Sequence, residues 1–290
     1  MKFLEGNRYN SALQANSVTR PDHPSDNFRY LLDHHYQTQI ALERLHFDVH
    51  TPLSKLPTID TIIDRAEGRL APPAYIIELC GMPKAGKSTA ITRWLTFHDS
   101  LHAIEEVNHL IPPQDRHTKD TDPFFYHYAT ELLNHQVIKQ YISSAPEPSQ
   151  QIPILLSRGT LDKIAFKRAL FSTGRISSLS MRVPHLPPPV PTYAVILCLT
   201  RPDVSFDRNE RYGAPGPKPV VNLTFLTQLY EQYLRLHQEI VADAGAFAYQ
   251  THGPLPLYVA LDMEGTKDES YKKLEATILA ILQRAKPAAK

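Results

Sequence analysis

Nine consecutive residues in the first third of the chain have the types and the spacing that bind a phosphate group. They fit the pattern G-x-x-x-x-G-K-[ST], followed by one more threonine. Glycines at this spacing let main-chain N–H groups close around an anion, and a helix starting at Lys87 directs its positive end at the same point. Lys87 is expected to reach the β- and γ-phosphates, and the Ser88 hydroxyl to hold Mg²⁺. The motif therefore predicts a nucleoside triphosphate site. Its residues are Gly81, Met82, Pro83, Lys84, Ala85, Gly86, Lys87, Ser88 and Thr89.

The elements around the motif are those that such a loop needs. The apolar run Tyr75–Cys80 precedes it as a buried strand, and Lys87–Phe97 follows it as a helix. Further along, short apolar runs alternate with longer helical stretches, which is typical of a parallel α/β sheet. The other predicted strands are His102–Glu105, Ile152–Leu156, Tyr193–Thr200 and Leu257–Leu261, and the other predicted helices are Pro123–Ser143, Leu161–Phe171, Asn222–Ala242 and Lys267–Ala285. We expect an α/β three-layer sandwich of the P-loop NTPase type, with a five-stranded parallel sheet.

Residues 1–72 differ from the predicted P-loop domain at 73–290. Apolar side chains recur at helical spacing over Asn27–Phe47, and Thr58–Leu70 has the pattern of a second, shorter helix. We predict a partly helical N-terminal extension that could carry a protein partner. Within the domain, the proline-rich stretch Ser177–Thr192 is predicted to be an exposed loop rather than a helix.

Composition excludes several classes of protein. Lys and Arg total 31 against 30 for Asp and Glu, so the net charge of +1 gives no electrostatic case for nucleic acid or a membrane surface. We see no apolar run of membrane-spanning length and no signal-peptide core, and we expect a cytoplasmic protein. The two cysteines, Cys80 and Cys198, fall in predicted buried strands and are expected to be inert core thiols. The histidine pairs lack a third ligand at a recognisable spacing, so no zinc site is predicted.

Two other P-loop classes fit less well. A guanine-binding motif is approximated by Thr200–Asp203, but Arg201 stands where a lysine is needed. A motor-type ATPase needs an acid at the end of the strand beside the P-loop strand, where this chain has Ser157. Asp262 follows an apolar strand, but that strand is predicted at the edge of the sheet, so we interpret Asp262 as a strand-end cap or a base-loop residue rather than a metal ligand.

Beyond the motif, the chain resembles the P-loop kinases of the deoxynucleoside kinase and thymidylate kinase group. The matching segments are Gly81–Thr89, Ala103–Val107, Leu155–Phe166, Arg201 with Asp207–Gly213, and Pro219–Tyr230. The resemblance implies ATP as phosphate donor, Mg²⁺, and a small-molecule acceptor, most naturally a nucleoside or nucleotide.

The residue types in these segments make chemical sense for phosphoryl transfer, which depends on positioning and charge neutralisation. A carboxylate at Glu105 or Glu106 could accept the proton of an attacking hydroxyl, with Glu105 favoured by strand register. Arg158 could orient the acceptor through paired hydrogen bonds, unless it only pairs with Asp162 four residues on.

The resemblance also places an arginine-rich lid and a second metal ligand. Arg208 and Arg211, three residues apart, would lie on one helix face and close over the transferred group, unless they belong to a solvated charged turn. Since Ser157 replaces the family's acid, the metal is left to Ser88, Asp162 and one of Glu105 and Glu106, or else is bound more weakly. That replacement keeps a second hypothesis open, a P-loop nucleotide sensor acting through a protein partner, while the arginine pair favours the kinase.

Overall fold

The structure is a computed structural model of the chain, and it describes residues 51–65, 75–98, 102–104, 106–111, 121–144, 153–183, 185–186, 188–212, 222–242, 255 and 257–285. The chain divides into two compact units, Met1–Phe47 and Asp48–Lys290. Every described residue belongs to the second unit. The helix predicted over Asn27–Phe47 lies outside the described residues.

A six-stranded sheet forms the centre of the described part of the chain. Its strands are β1 Ile63–Asp64, β2 Ile76–Gly81, β3 His102–Ile104, β4 Ile154–Ser157, β5 Thr192–Leu199 and β6 Leu257–Asp262. Their spatial order is β1-β6-β5-β2-β4-β3, and all neighbouring strands are parallel except β1 and β6. The predicted α/β class and parallel sheet are confirmed, with one more strand than the five expected.

The strand that leads into the phosphate motif lies in the middle of this sheet. β2 pairs with β4 on one side and with β5 on the other, and all of its residues are buried. β5 is buried along its whole length too. Continuous apolar runs suit strands that are covered on both faces. The carboxyl ends of β2, β4 and β5 therefore meet at one edge, where the motif begins.

Seven α-helices surround the sheet in the described residues. They are α1 Lys87–Phe97, α2 Pro123–Ser144, α3 Thr160–Ser172, α4 Ser178–Arg182, α5 Pro202–Tyr212, α6 Leu223–Ala242 and α7 Lys267–Ala285, with 3₁₀ turns at Leu53–Lys55 and Val107–Leu110. The five helices predicted after residue 74 are confirmed to within one residue at either end. None of the described helices is both long enough and apolar enough to cross a membrane.

Two local predictions are wrong. Residues 58–65 form turns and a short strand rather than the start of a helix, because Thr58 and Asp60 have positive φ and Ile63 pairs with Tyr258 of β6. The stretch after Ser177 begins with the short helix α4, whose first turn is capped by the Ser177 hydroxyl accepting from the Ser180 amide at 3.1 Å. The prolines follow that helix, so the loop is shorter than predicted.

The segment before the P-loop strand is fastened along the β6 edge. Asp60 accepts the Asp262 amide at 3.0 Å and the Lys273 ammonium at 2.9 Å. Asp262 in turn accepts the Glu264 amide at 2.9 Å, as expected for a residue that caps a strand end. Residues 51–65, assigned to the extension from the sequence, thus belong to the same compact unit as the sheet.

Candidate active site

The phosphate motif forms the predicted loop between β2 and α1. Three of its residues have positive φ: Gly81 at 122°, Lys84 at 59° and Gly86 at 95°. A Cβ atom on Gly81 would lie 2.0 Å from the carbonyl oxygen of Cys198, so only glycine fits there. Gly86 is the N-cap of α1, whose first residue is Lys87. Backbone conformation and contact with β5 together hold the loop at the start of the helix.

The Lys87 side chain is folded back over this loop. Its ammonium group donates to the carbonyl oxygens of Gly81 at 2.6 Å and Met82 at 2.9 Å, and the residue is buried. Burial lowers the pKa of Lys87, and the negative charge of Asp162 opposes that shift. A cation is therefore held at the loop by main-chain oxygens, where an incoming phosphate would meet it.

Asp162 lies beneath the loop rather than beside its mouth. One carboxylate oxygen, Oδ1, accepts the Gly81 amide at 2.7 Å and also the hydroxyl of Tyr233 from α6. The other oxygen, Oδ2, is buried and has no hydrogen-bond partner in the described part of the chain. Ser88 is exposed in the first turn of α1. A hydroxyl and a carboxylate oxygen are both hard ligands of the kind Mg²⁺ prefers, and the metal role of Ser88 and Asp162 stays a prediction.

Sequence reasoning missed Glu78, an acid in the middle of the buried strand β2. Its carboxylate accepts the amides of Thr160 at 3.0 Å and Leu161 at 2.7 Å, so it caps the N-terminus of α3. Burial, with the neighbouring Asp162, raises the pKa of Glu78 to about 8. Its sequence signal was simply a charged residue within an otherwise apolar run.

Arg158 and Glu106 form an ion pair at the edge where β4 ends. The Nε of Arg158 lies 2.8 Å from Oε1 of Glu106, and the two side chains are only 21% and 23% exposed. Burial alone would raise the pKa of Glu106, but the charges of Arg158 and Lys87 outweigh it and lower that pKa. Glu106 therefore stays ionised in the neighbourhood of the P-loop lysine. Glu105 lies outside the described residues, so the carboxylate seen at the site is Glu106.

The backbone places the Arg158 side chain by an unusual conformation. Arg158 has φ of 61°, and its carbonyl oxygen accepts the side-chain amide of Asn134 at 3.1 Å. Its guanidinium also lies over the ring of Phe166, 5.3 Å from the centroid. Asp162, the other partner considered for Arg158, uses its Oδ1 to accept from Gly81 and Tyr233 instead.

Both predicted lid arginines lie on α5, which sequence reasoning did not mark as a separate helix. The Arg208 guanidinium donates to four main-chain oxygens, those of Lys84 at 3.4 Å, Met263 at 3.0 Å, Glu264 at 3.3 Å and Gly265 at 2.9 Å. Ser205 of the same helix donates to Pro83 at 2.6 Å.

The second of these arginines has a different environment. Arg211 is exposed near the end of α5. The structure thus brings Arg208 onto the P-loop turn and leaves Arg211 in solvent. The lid role of both remains a prediction.

The aromatic residues on α2 lie only partly in the core. Tyr126 is buried, but Phe125 is 59% exposed and Tyr128 lines a cleft. The helix therefore contributes both to the core and to a solvent-facing wall.

The groups considered for metal or thiol chemistry have other partners. His98 contacts Glu275 at 2.9 Å, and His102 stacks on Tyr141. Cys80 and Cys198 are free and buried, and burial raises the pKa of both. No group of three or more His, Cys, Asp or Glu residues suited to a metal occurs in the described ranges.

With this geometry in place, the fold can be compared with known proteins. The sequence matches no protein-family model and no curated protein. Among solved structures, the chain is similar to deoxyadenosine kinase from M. mycoides with the products dCMP and a flexible dCDP bound, with a TM-score of 0.54 and 13% identity over 71% of this chain and 99% of that chain. The fold is that of a deoxynucleoside kinase.

Two further structures of the same enzyme, with bound dATP and with bound dCTP, have TM-scores of 0.49, again at 13% identity. The TM-score of 0.54 confirms, for the fold, the resemblance to P-loop deoxynucleoside kinases that we inferred from the sequence. Identity this low carries no statement about acceptor or activity.

Proposed function

We propose that this protein is an ATP-dependent phosphotransferase that moves the γ-phosphate to a hydroxyl group of a small-molecule acceptor, a nucleoside or a nucleotide. The observation that carries the proposal is the ion pair of Glu106 and Arg158, which lies close enough to the P-loop for the charge of Lys87 to lower the pKa of Glu106. A P-loop alone would suit any nucleoside triphosphate-binding protein. A carboxylate held beside it by an arginine suits transfer to an acceptor.

Each site residue has its own role in the proposed transfer. The loop amides and Lys87 bind the β- and γ-phosphates. The acceptor oxygen attacks the γ-phosphorus, the bond from that phosphorus to the β–γ bridging oxygen breaks, and ADP leaves with the electron pair. Glu106 takes the proton of the acceptor hydroxyl, and Arg158 holds Glu106 and the acceptor in place. Arg208 and Arg211 are assigned to closure over the transferred group.

Mg²⁺, when bound, would neutralise negative charge on the phosphates. Ser88 would hold it, and Oδ2 of Asp162 is the second oxygen available to it. Ser157 cannot supply a charge, so the carboxylate beneath the loop has to serve in its place. A cytoplasmic location is in keeping with the two free buried cysteines.

A second candidate function is a nucleotide sensor that presents the N-terminal extension to a protein partner. The observation in its favour is Ser157, which ends β4 where an acid would help to hold the metal. In that case nucleotide would bind tightly and no acceptor would speed its hydrolysis.

A coupled assay of ADP release decides between the two. The full chain is incubated with ATP, Mg²⁺ and a panel of nucleosides and nucleoside monophosphates. Acceptor-dependent ADP release that is lost in Lys87→Ala supports the kinase. ATP binding without any acceptor dependence contradicts it and supports the sensor.

A further inference from the structure

A cleft lies between α2 and α3, and none of the residues that line it belongs to the P-loop. It is lined by Phe124 and Tyr128 from α2 and by Lys163 and Lys167 from α3. The loop that follows α4 closes one side. We call this space the α2–α3 cleft.

Two buried cations line the α2–α3 cleft. Lys163 and Lys167 are 9% and 8% exposed. The Lys163 ammonium donates to the hydroxyl of Thr130, and the Lys167 ammonium donates to the carbonyl oxygen of Val183. Both of these partners are uncharged. Within the described residues, neither ammonium group has a carboxylate oxygen within 4.0 Å.

Glu131 is the one carboxylate among the residues that line the cleft, and its hydrogen bonds go to groups other than the two lysines. Glu131 accepts the Leu186 amide at 2.6 Å and faces Nδ1 of His185 at 3.3 Å. Burial lowers the pKa of His185, so this ring is neutral at neutral pH and adds no positive charge. Two ammonium groups and one carboxylate leave the cleft with a surplus of one positive charge.

The cleft is also adjacent to the reacting groups of the proposed transfer. The Phe166 ring under the Arg158 guanidinium lies 5.4 Å from the ring of His127, which lines the cleft. Lys163 contributes to lowering the pKa of Glu106 as well. The α2–α3 cleft is therefore close enough to Glu106 for one of its lysines to act on the charge of that carboxylate.

We infer that the α2–α3 cleft binds the anionic group of the phosphate acceptor, which is therefore a hydroxyl compound carrying a phosphate or a carboxylate, not a neutral nucleoside. The inference rests on the proposed phosphotransferase function. A buried ammonium without a counter-ion costs free energy, and a bound anion removes that cost. The rings of Phe124 and Tyr128 offer contact to a planar body attached to the anionic group.

The test compares acceptor pairs that differ only in the charged group. Isothermal titration is carried out on the full chain with its P-loop saturated by a non-hydrolysable ATP analogue. One pair is thymidine and thymidine 3′-monophosphate, and the other is benzyl alcohol and 4-(hydroxymethyl)benzoate. We expect the charged member of at least one pair to bind about tenfold more tightly or better, the value of one charged hydrogen bond. The pair that shows the preference tells phosphate from carboxylate.

Variants assign the preference to the lysines. Lys163→Met and Lys167→Met keep the stem and remove the charge, so each should abolish the preference while the affinity for the neutral member stays the same. Lys139→Met on the exposed face of α2 is the matched control and should retain it. A circular dichroism melt of each variant confirms that it is folded. Equal affinity for both members of both pairs, or a preference that survives in both buried variants, overturns the inference.

The experiments can contradict the kinase proposal without contradicting the cleft proposal, and the reverse. Charge-dependent binding without phosphoryl transfer supports the cleft assignment and contradicts the kinase. Efficient transfer to neutral nucleosides, without charge preference, supports the kinase and contradicts the cleft assignment.

Discussion

The carboxyl group of Glu78 occupies the space next to Gly159 so fully that a Cβ atom on that glycine would lie 2.5 Å from Cδ of Glu78. The glycine stands between Arg158 and the first residue of α3. Because the glycine has no side chain, Glu78 can reach the first amides of α3. These hydrogen bonds link the P-loop strand β2 to the helix that carries Asp162.

Gly159→Ala should lower the free energy of unfolding by about 1–3 kcal/mol, since the methyl group forces the buried carboxyl group or the helix to move. Urea unfolding measures the change. Gly265→Ala is the control, because its Cβ would come no closer than 3.0 Å to the exposed Glu269 and would meet no buried group. A loss at Gly159 no larger than at Gly265 would show that the helix start adapts. Combining Gly159→Ala with Glu78→Ala should recover part of the loss, since the two groups compete for one space.

Glu78 should make stability depend on pH. Its folded-state pKa is raised from 4.5 to about 8, so the folded chain keeps a proton that the unfolded chain has released. The stability this proton contributes is complete below about pH 4.5 and is lost as the pH rises through 8. The slope is at most about 1.4 kcal/mol per pH unit. Unfolding free energies measured between pH 5 and 8 should fall less steeply in Glu78→Gln than in the unaltered chain. Parallel curves would show that Glu78 does not titrate in this range.

The ion pair of Glu106 and Arg158 should control turnover. Glu106→Gln removes the proton acceptor and should lower kcat by about 10²-fold or more. Arg158→Met leaves Glu106 buried without its main counter-charge, so the pKa of Glu106 should rise and the acidic limb of the rate profile should move to higher pH. Rates measured from pH 5 to 9 report both effects.

The exposed pair of Arg93 and Asp268, 2.9 Å apart, supplies the control for the Glu106 variants. Arg93→Met should leave the profile unchanged. An unaltered rate in Glu106→Gln would transfer the role to Glu105.

Arg211 and Arg208 should differ in what they affect. Arg211→Ala should lower kcat by about tenfold or more with little change in the Kd for ATP, because an exposed side chain can act only when the site closes. Arg208→Ala removes the donor to four main-chain oxygens, including that of Lys84, so it should weaken ATP binding and lower Tm. Steady-state kinetics and calorimetry separate the two. Identical behaviour of the variants would contradict this division.

The sheet and most helices were predictable because burial on both faces leaves an apolar run, and the phosphate loop was predictable because its chemistry is local. The roles of Glu78 and Tyr233 and the contacts of Arg208 were not, since each of these side chains acts on residues far away in sequence. Tyr233 reaches Asp162 across 71 positions, which no spacing rule encodes. The helix expected from residue 58 failed for a related reason. Its isoleucines suit a helix face and a strand equally, and pairing with Tyr258 decides between them.

The two-residue strand β1 has a practical consequence. It pairs with the outer edge of β6. Asp60, just before β1, accepts the Lys273 ammonium and so helps to hold the segment in place. A chain shortened to begin at residue 73 would expose the outer edge of β6, which could pair with the same edge of a neighbouring molecule. Self-association would then result from the truncation and not from a defect in the core.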